Sequence, residues 1–349
     1  MKRTWFEGWS RREFLEGMAM TGAGAMLGMK PNLSLAADEP PPETTTLKWR
    51  ALRASCWAPQ MTAEPLLREE GFTDIQYVKY TKTETSDKED LNTGKIDMTL
   101  DFSGRHIRDI VPGNPSVFIS GLHAGCYSLI GSEKINSVRD LKGKKVWAWT
   151  NLHAGPALFF KAILAYVGMD PEKDVEYVMV PKNEAVEMFK KGEIDAFMSF
   201  PPGPQQLRAQ GIGKVIVDTN VDKPWSQYFC CCVLANRDFI TNNPVATRRA
   251  LRAVLRATDM VAADPAMAAR LLVEKGLKPA ADEKFMAQAF ADIPYAKWRD
   301  YNPEDTIRFY GLRLREAGLM KYSPEEIVKQ NTNWSFLMSL KDELGLTWT

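Results

Sequence analysis

The sequence predicts an α/β fold in two similar lobes, followed by a helical C-terminal part. Three observations carry this. Strand-like and helix-like segments alternate from Leu47 to Ala235, the signature of layered α/β structure with mostly parallel sheets. A helix–Gly–x–Ile–Asp–strand junction occurs twice, at Gly94-Lys95-Ile96-Asp97 and at Gly192-Glu193-Ile194-Asp195. Beyond Pro244 the apolar residues take helical spacing throughout.

In chain order, Leu47–Cys56 reads as a strand with apolar positions at every second residue (Leu47, Trp49, Ala51). A short helix over Ala63–Glu70 stops at Gly71, a residue suited to the left-handed end of a helix. Ile75–Tyr80 is the next strand, and a helix over Asp87–Asn92 stops at Gly94. Ile96–Phe102, Ser116–Leu122 and Tyr127–Gly131 read as further strands. The rhythm then repeats: strand Val146–Thr150, helix Gly155–Val167, strand Val175–Val180, helix Asn183–Lys191, and strands Ile194–Phe200, Val215–Asp218 and Phe229–Ala235. In the last third, Leu251, Val254, Leu255, Thr258, Val261 and Ala262 mark one helical face over Pro244–Ala263, with Asn243 as cap and Pro244 in the first turn. Helices are also predicted over Asp264–Lys275, Asp282–Ile293, Pro303–Ala317 and Ser335–Leu344, packing back onto the first lobe.

Composition narrows the function. The chain has 349 residues, 45% hydrophobic and 26% charged, with a net charge of +1. That is ordinary globular composition, with no basic excess to favour nucleic acid. Five cysteines in a chain this long do not form a disulfide framework. At the N-terminus, Arg11-Arg12-Glu13-Phe14-Leu15 precedes a mildly apolar stretch, Gly17–Gly28, and the small-x-small site Ser34-Leu35-Ala36. This layout predicts an export signal over residues 1–36, of twin-arginine type, and a periplasmic mature protein. The Pro40-Pro41-Pro42 run reads as an extended linker.

Open α/β sheets bind ligands beyond the carboxyl ends of their strands. The residues there are Cys56-Trp57-Ala58-Pro59-Gln60, Ser103-Gly104-Arg105-His106, Asn151-Leu152-His153-Ala154-Gly155, Pro201-Pro202-Gly203 and Trp225-Ser226-Gln227-Tyr228. Aromatic rings there offer flat walls, and amides and hydroxyls fix orientation. The helix start near Asn151–Gly155 offers N–H groups and a positive dipole end to an anion. Arg105 is a candidate clamp for such a group, or else the partner of a nearby Asp. Trp147 and Trp149 share one strand face, with Trp147 expected in the core and Trp149 nearer the ligand.

Other chemistry is missing from the pattern. The three histidines, His106, His123 and His153, lack a close ligand pair, and no CxxC occurs, so no metal site is expected. His123 and His153 share the tetrapeptide Leu-His-Ala-Gly. No nucleophile elbow, P-loop or dinucleotide fingerprint occurs, and no cofactor is expected. Cys230-Cys231-Cys232 is read as tight strand packing, Cys231 facing opposite to its two neighbours.

Five segments carry a resemblance: Gly94-Lys95-Ile96-Asp97, Gly121-Leu122-His123-Ala124-Gly125, Ser137–Val146, Gly192–Ala196 and Val233–Phe239. Together they resemble the solute-binding proteins of ABC importers of the nitrate/sulfonate/taurine and thiamine-pyrimidine type. The resemblance implies a bilobed type II periplasmic-binding-protein fold, two α/β lobes joined by two crossover strands near Tyr127–Ser132 and Phe229–Ala235, with the helical tail on lobe 1. It implies a linker at 37–46, lobe 1 at 47–130 and 235–349, and lobe 2 at 131–234. The family's ligand loops fall on Trp57, Gln60, Ser103, Asn151, His153, Pro201 and Trp225; Arg105, Trp149 and Tyr228 join them from the loop reading above. The implied function is a monomeric, non-enzymatic receptor that captures a small solute, anionic or flat and aromatic, and hands it to an ABC permease. Two alternatives stay open: an enzyme like the thiamine-pyrimidine synthase of the same fold, and an accessory protein that presents ligand to a sensor or periplasmic enzyme.

Overall fold

The computed structural model describes residues 39–51, 54–79 and 86–343; the expected export signal at 1–36 lies outside them. Ten strands are present among the described residues: β1 Thr46–Arg50, β2 Asp74–Val78, β3 Met98–Phe102, β4 Ser116–Ala124, β5 Ser128–Gly131, β6 Lys144–Trp147, β7 Val175–Tyr177, β8 Ala196–Ser199, β9 Lys214–Asp218 and β10 Phe229–Asn236. They form two five-stranded sheets, in the orders β2-β1-β3-β10-β4 and β7-β6-β8-β5-β9.

The two sheets have the same plan. In the first, β1 pairs parallel with β2 and β3, and β10 lies antiparallel between β3 and β4. In the second, β6 pairs parallel with β7 and β8, and β5 lies antiparallel between β8 and β9. Each sheet's antiparallel strand is the one the chain brings in from the other sheet. β5 pairs only with second-sheet strands and β10 only with first-sheet strands, so the chain changes sheets over residues 125–127 and again over 219–228.

The repeated Gly–x–Ile–Asp junction has one physical job in both sheets. Gly94 and Gly192 end their helices at φ 68° and 75°, in space open enough for a side chain, so backbone conformation alone selects glycine. Ile96 and Ile194 then enter the core fully buried. The Asp closes the unit. Asp97 donates its N–H to Lys48 O (2.8 Å) and accepts the Lys48 N–H at Oδ2 (2.7 Å). Asp195 does the same to Lys145, at 2.8 and 3.1 Å. Each carboxylate thus fixes the register of two parallel neighbours, β1 against β3 and β6 against β8.

Several segments differ from the sequence expectation. β6 ends at Trp147 rather than Thr150, so Trp149 lies beyond the strand, and two short helices that were not expected form at Gly203–Ala209 and Arg237–Asn242. β1 stops at Arg50, and residues 55–57 and 58–62 form a 3₁₀ turn and a short helix with Pro59 in its first turn. The strand ends there because Arg50 is turned fully inward, onto Asp90 at 2.5 Å and Lys79 O at 3.1 Å. The loop expected after β3 is a helix, Ser103–Asp109. A further helix, Pro324–Gln330, begins with Ser323 and Glu326 capping each other's backbone N–H groups.

The C-terminal helices Pro244–Ala263, Pro265–Glu274, Glu283–Asp292, Pro303–Glu316 and Ser335–Glu343 form at the expected places. Two polar anchors hold this part on the first sheet's side. Asn331 is fully buried; its Nδ2 donates to Ser116 O (2.8 Å) and to Asn114, while its Oδ1 accepts the Gly113 N–H (2.9 Å). Arg252, on the long helix, grips both carboxylate oxygens of Glu70, with Nε to Oε1 at 2.8 Å. Arg249 donates to the Glu70 carbonyl at 2.9 Å. Glu70 and Arg252 are 6% and 5% exposed, and without Glu70 the guanidinium keeps the longer contact to Glu343 at 3.4 Å. Glu70→Ala is therefore expected to destabilise the protein by about 1.5–3 kcal/mol, the loss of charged hydrogen bonds, read by denaturant unfolding.

Candidate functional site

The carboxyl ends of the parallel strands of both sheets meet at one seam. β3 delivers Phe102, and the chain changes lobes through Tyr127. The helix after β6, Gly155–Tyr166, delivers Phe159; β8 runs out into Phe200; and the Pro303–Glu316 helix of the tail delivers Tyr310. Their rings form one continuous cluster. Phe102 meets Tyr127, Phe159 and Tyr310 edge-on at 5.4–5.5 Å, and Tyr127 stacks on Phe159 at 4.9 Å. Tyr127 also touches Phe200 at 6.1 Å. The main hydrophobic core is therefore continuous from one lobe to the other.

Polar contacts close the seam at its edges. Arg108 Nη1 donates to His153 O (3.1 Å), Gln206 Nε2 to Asp282 Oδ1 (2.7 Å), and Arg208 Nη2 pairs with Asp292 (2.9 Å). Of these only the last is an ion pair, and one this exposed contributes roughly 0–1 kcal/mol.

The hinge lies where the two crossings meet. Tyr127 and Thr219 exchange backbone and hydroxyl hydrogen bonds: Tyr127 N–H to Thr219 Oγ1 at 2.9 Å, and Thr219 Oγ1–H and N–H to Tyr127 O at 2.8 and 3.0 Å. Cys126 donates its N–H to Asn220 Oδ1 at 3.0 Å. Cys126 sits at φ 98°, a left-handed conformation that disfavours any residue with a Cβ. The neighbouring Gly125, at φ 74°, would place a Cβ 2.3 Å from Asn220 Oδ1, so only glycine fits against that clamp.

The sequence-predicted residues distribute unevenly around the seam. Trp149 is half-buried, with its ring 5.2 Å from Trp147 and 5.1 Å from Phe200. Trp147 is fully buried and its indole N–H donates to Val180 O at 2.9 Å. Asn151 Oδ1 accepts the His153 N–H at 2.9 Å, shaping the loop, and the His153 side chain is exposed. Pro201 is buried and joined to Pro202 by a cis peptide. Tyr228 is half-buried and stacks face to face on Phe309, 4.0 Å away. Trp225 is enclosed by Phe159, Tyr166, Phe309 and Tyr310. Trp57 is enclosed in the first-lobe core. Gln60 is buried, its Nε2 donating to Arg50 O while Oε1 has no hydrogen-bond partner. Ser103 donates to Cys232 Sγ at 3.0 Å. Arg105 pairs with Asp101 at 2.8 Å, and the pair is buried rather than at the surface.

Two groups escaped the sequence reading. Lys182, at the start of the second-lobe helix Lys182–Lys190, and Lys278, in the first-lobe tail, both lie close enough to Asp282 to feel its charge, and Lys278 feels Lys182 as well. Burial pushes both ammonium groups below the ordinary lysine range, against the pull of Asp282 at Lys182 and of Cys56 and then Asp282 at Lys278. The Lys182 Nζ lies 3.3 Å from where a Cβ would sit on Gly203. Nothing in the sequence around either lysine marks it, since a lone lysine beside a loop reads as solvated surface.

The second group is sulfur. All five cysteines are buried and reduced. β10 carries bulges between Phe229 and Cys232, which break the expected alternation: Cys231 pairs with His123, and Cys126 lies within hydrogen-bond reach of both Cys230 (3.3 Å) and Cys231. Hydrogen bonds from the Cys126 and Cys231 thiols, and then the nearby His123, hold the Cys56 thiol well below the usual range. Burial pushes Cys126, Cys230 and Cys231 up. Cys56, His123 and Cys231 place one ligand atom each within 4.8 Å of one another. Sequence spacing could not have found this set, because its members come from three separate elements.

Residues 127–274 match the model of the NMT1-like family. The chain has the bilobed fold of the periplasmic binding proteins. It is similar in structure to the periplasmic sulfonate-binding protein SsuA of Methylobacillus flagellatus, with TM-score 0.67 and 19% identity over 87% of this chain and 96% of that one. The nitrate-binding protein NrtA of Synechocystis superposes with TM-score 0.69 at 18% identity, covering 87% and 90% of the two chains. A cysteine-to-serine mutant of DSZB, solved in complex with biphenyl-2-sulfinic acid, superposes with TM-score 0.58 at 14% identity over 85% and 99%. No curated protein sequence matches the chain. Among the described residues no helix is long and apolar enough to cross a membrane.

Asn220→Ala removes the acceptor that holds Cys126 in its left-handed conformation and leaves a partly buried N–H unsatisfied. A loss of about 1–3 kcal/mol in unfolding free energy is expected, with hydrogen exchange accelerated at residues 126–127 ahead of the sheets.

Proposed function

We propose that the protein is a solute receptor that closes its two lobes over a small organic anion at the seam and presents it to an ABC permease from the periplasm. The observation that carries this reading is the convergence of positive groups on an otherwise aromatic seam. The Gly155–Tyr166 helix begins without a side-chain cap, and the Tyr127 hydroxyl lies 2.9 Å from the position a Cβ on Gly155 would take. Lys182 of lobe 2 and Lys278 of the tail both lie within the field of Asp282. Helix N–H groups, a phenol and two desolvated ammonium groups suit a carboxylate, sulfonate or sulfinate. Trp149, half-buried against Phe200, is the ring best placed to stack on a flat solute. Asn151, His153, Pro201 and Tyr228 line the approaches, while Trp57, Gln60, Ser103, Arg105 and Trp225 stand behind them and hold the walls. The similarity to sulfonate- and nitrate-binding proteins supports the same class of ligand. We place the lobe boundaries where strand pairing changes: lobe 1 over 46–127 and 229–343, lobe 2 over 128–218.

The test is thermal melting of the exported form against nitrate, alkane and aromatic sulfonates, sulfinates and aromatic carboxylates. A ligand at 100 times its Kd stabilises by about 2.7 kcal/mol, a shift of a few degrees at this size. A shift confined to neutral or cationic solutes would reject the anion assignment. With the solute in hand, Trp149→Ala is expected to weaken binding about 2- to 10-fold, the loss of one stack. Lys182→Gln or Lys278→Gln should weaken it roughly tenfold or more, the loss of a charged hydrogen bond.

The lysines also give a pH dependence. Their pKa is depressed in the free protein and an anion favours the ammonium form, so affinity is full at neutral pH and falls as pH rises through the alkaline range. Calorimetric titration across that range checks the sign; affinity rising with pH would contradict the assignment.

A further inference from the structure

We propose that Cys56, His123 and Cys231 form a buried site for a thiophilic d¹⁰ divalent cation of the zinc class, at the base of lobe 1 beside the hinge. The proposal is independent of which solute the seam binds.

Geometry is the first support. The three ligand atoms lie within 4.8 Å of one another. Tetrahedral zinc, with bonds of about 2.3 Å to sulfur and about 2.0 Å to nitrogen, needs ligand atoms roughly 3.5–4 Å apart. The set lies within about an ångström of that spacing. The cysteines are each 2% exposed and His123 is fully buried, so bulk water does not compete for the coordination positions.

The histidine is the second support, and it is separate from the spacing. Its Nδ1 lies 3.1 Å from the carbonyl oxygen of Ala124. A carbonyl only accepts, so Nδ1 carries the proton and Nε2 holds the free lone pair. A metal-ligating histidine is oriented in this way, its far ring N–H donated to a carbonyl or carboxylate. Nε2 is buried and makes no well-formed hydrogen bond, but it lies close enough to the Cys56 thiol to interact with it, so its lone pair and the Cys56 sulfur share one dry space. The Tyr295 ring packs edge-on against the imidazole at 5.2 Å and holds its orientation.

The scaffold aims all three ligands. Tyr295 Oη donates to the Cys56 carbonyl at 2.8 Å, pinning the turn that carries Cys56. The bulged register sets Cys231 directly opposite His123. Cys126, within hydrogen-bond reach of Cys56 and Cys231, is available as a fourth ligand.

Charge selects the ion class. Two thiolates and a neutral imidazole around a divalent cation sum to zero, which a buried site tolerates. Binding exchanges the remaining thiol protons into solvent, with no change of oxidation state. Thiolate and imidazole donors exclude calcium and magnesium, which require oxygen. The ion would tie the turn after β1 to β4 and β10.

The test uses the full exported chain, reduced with a phosphine and stripped with a chelator. Cobalt(II) is added as a spectroscopic stand-in, followed by zinc. One equivalent of cobalt should produce thiolate-to-metal charge-transfer absorption and the visible bands of a tetrahedral centre, both abolished by one equivalent of zinc. Cys56→Ser, Cys231→Ser and His123→Ala should each weaken cobalt binding at least 100-fold. Cys232→Ser, whose sulfur accepts from Ser103 instead, should leave it unchanged. Should a ligand variant fail to fold, X-ray absorption at the zinc edge of the wild-type protein decides the matter: sulfur scatterers together with imidazole support the site. An all-oxygen or all-nitrogen shell, or no cobalt–thiolate band in folded, reduced protein, overturns it.

Discussion

The structure turns on a small hydrogen-bonded clamp between its two chain crossings. Tyr127 and Thr219 share three hydrogen bonds, and Asn220 holds Cys126 in a conformation it would not choose alone. Because the chain leaves lobe 1 and returns at this one place, each sheet receives its antiparallel strand from outside. The two lobes share one main core across the seam, and the two crossings lie side by side at its edge. The two folding units stay alike because the Asp97 and Asp195 clamps set the first strand of each sheet in the same way.

What the hinge brings together follows from that geometry. The parallel strands of both sheets point their carboxyl ends at the seam, so the seam collects loop residues and helix starts rather than strand interiors. Its floor is aromatic and continuous with the core, which gives a rigid surface. Its polar groups are few: one uncapped helix start, one phenol and two lysines partly stripped of water. Aromatic walls with a few polar groups at fixed positions favour ligands that match them in charge and shape. The contacts at its rim are an exposed ion pair and hydrogen bonds, weak enough to break with each opening.

Much of the fold was readable because local chemistry and global structure agree. The glycines that stop helices at 71, 94 and 192, the Asn243–Pro244 helix start and the period-two strands all carry their reason within a few residues. The strand expected to continue to Cys56 failed because a buried ion pair to Asp90, forty residues on, decides where Arg50 points. The capping pair Ser323 and Glu326 was present in the sequence and overlooked. Around the seam, position relative to a strand end said where a residue is but not whether water reaches it. Trp225 stands just before β10, yet the tail helix carrying Phe309 and Tyr310 folds over it. The identical Leu-His-Ala-Gly tetrapeptides show the same limit: one puts His123 inside β4 among cysteines, the other puts His153 in an exposed loop. Lys182 and Lys278 were invisible because their burial comes from tertiary packing that the residues next to them in sequence do not signal.

The central claim is that a solute closes the two lobes about the 125–127 and 219–228 crossings. Small-angle X-ray scattering tests it directly, on the exported form with and without the solute that raises its melting temperature. The account predicts a smaller radius of gyration when the solute saturates, with the open and closed forms as the only two components of the titration. An unchanged scattering curve at saturation would contradict it, since the seam would then bind without hinge motion.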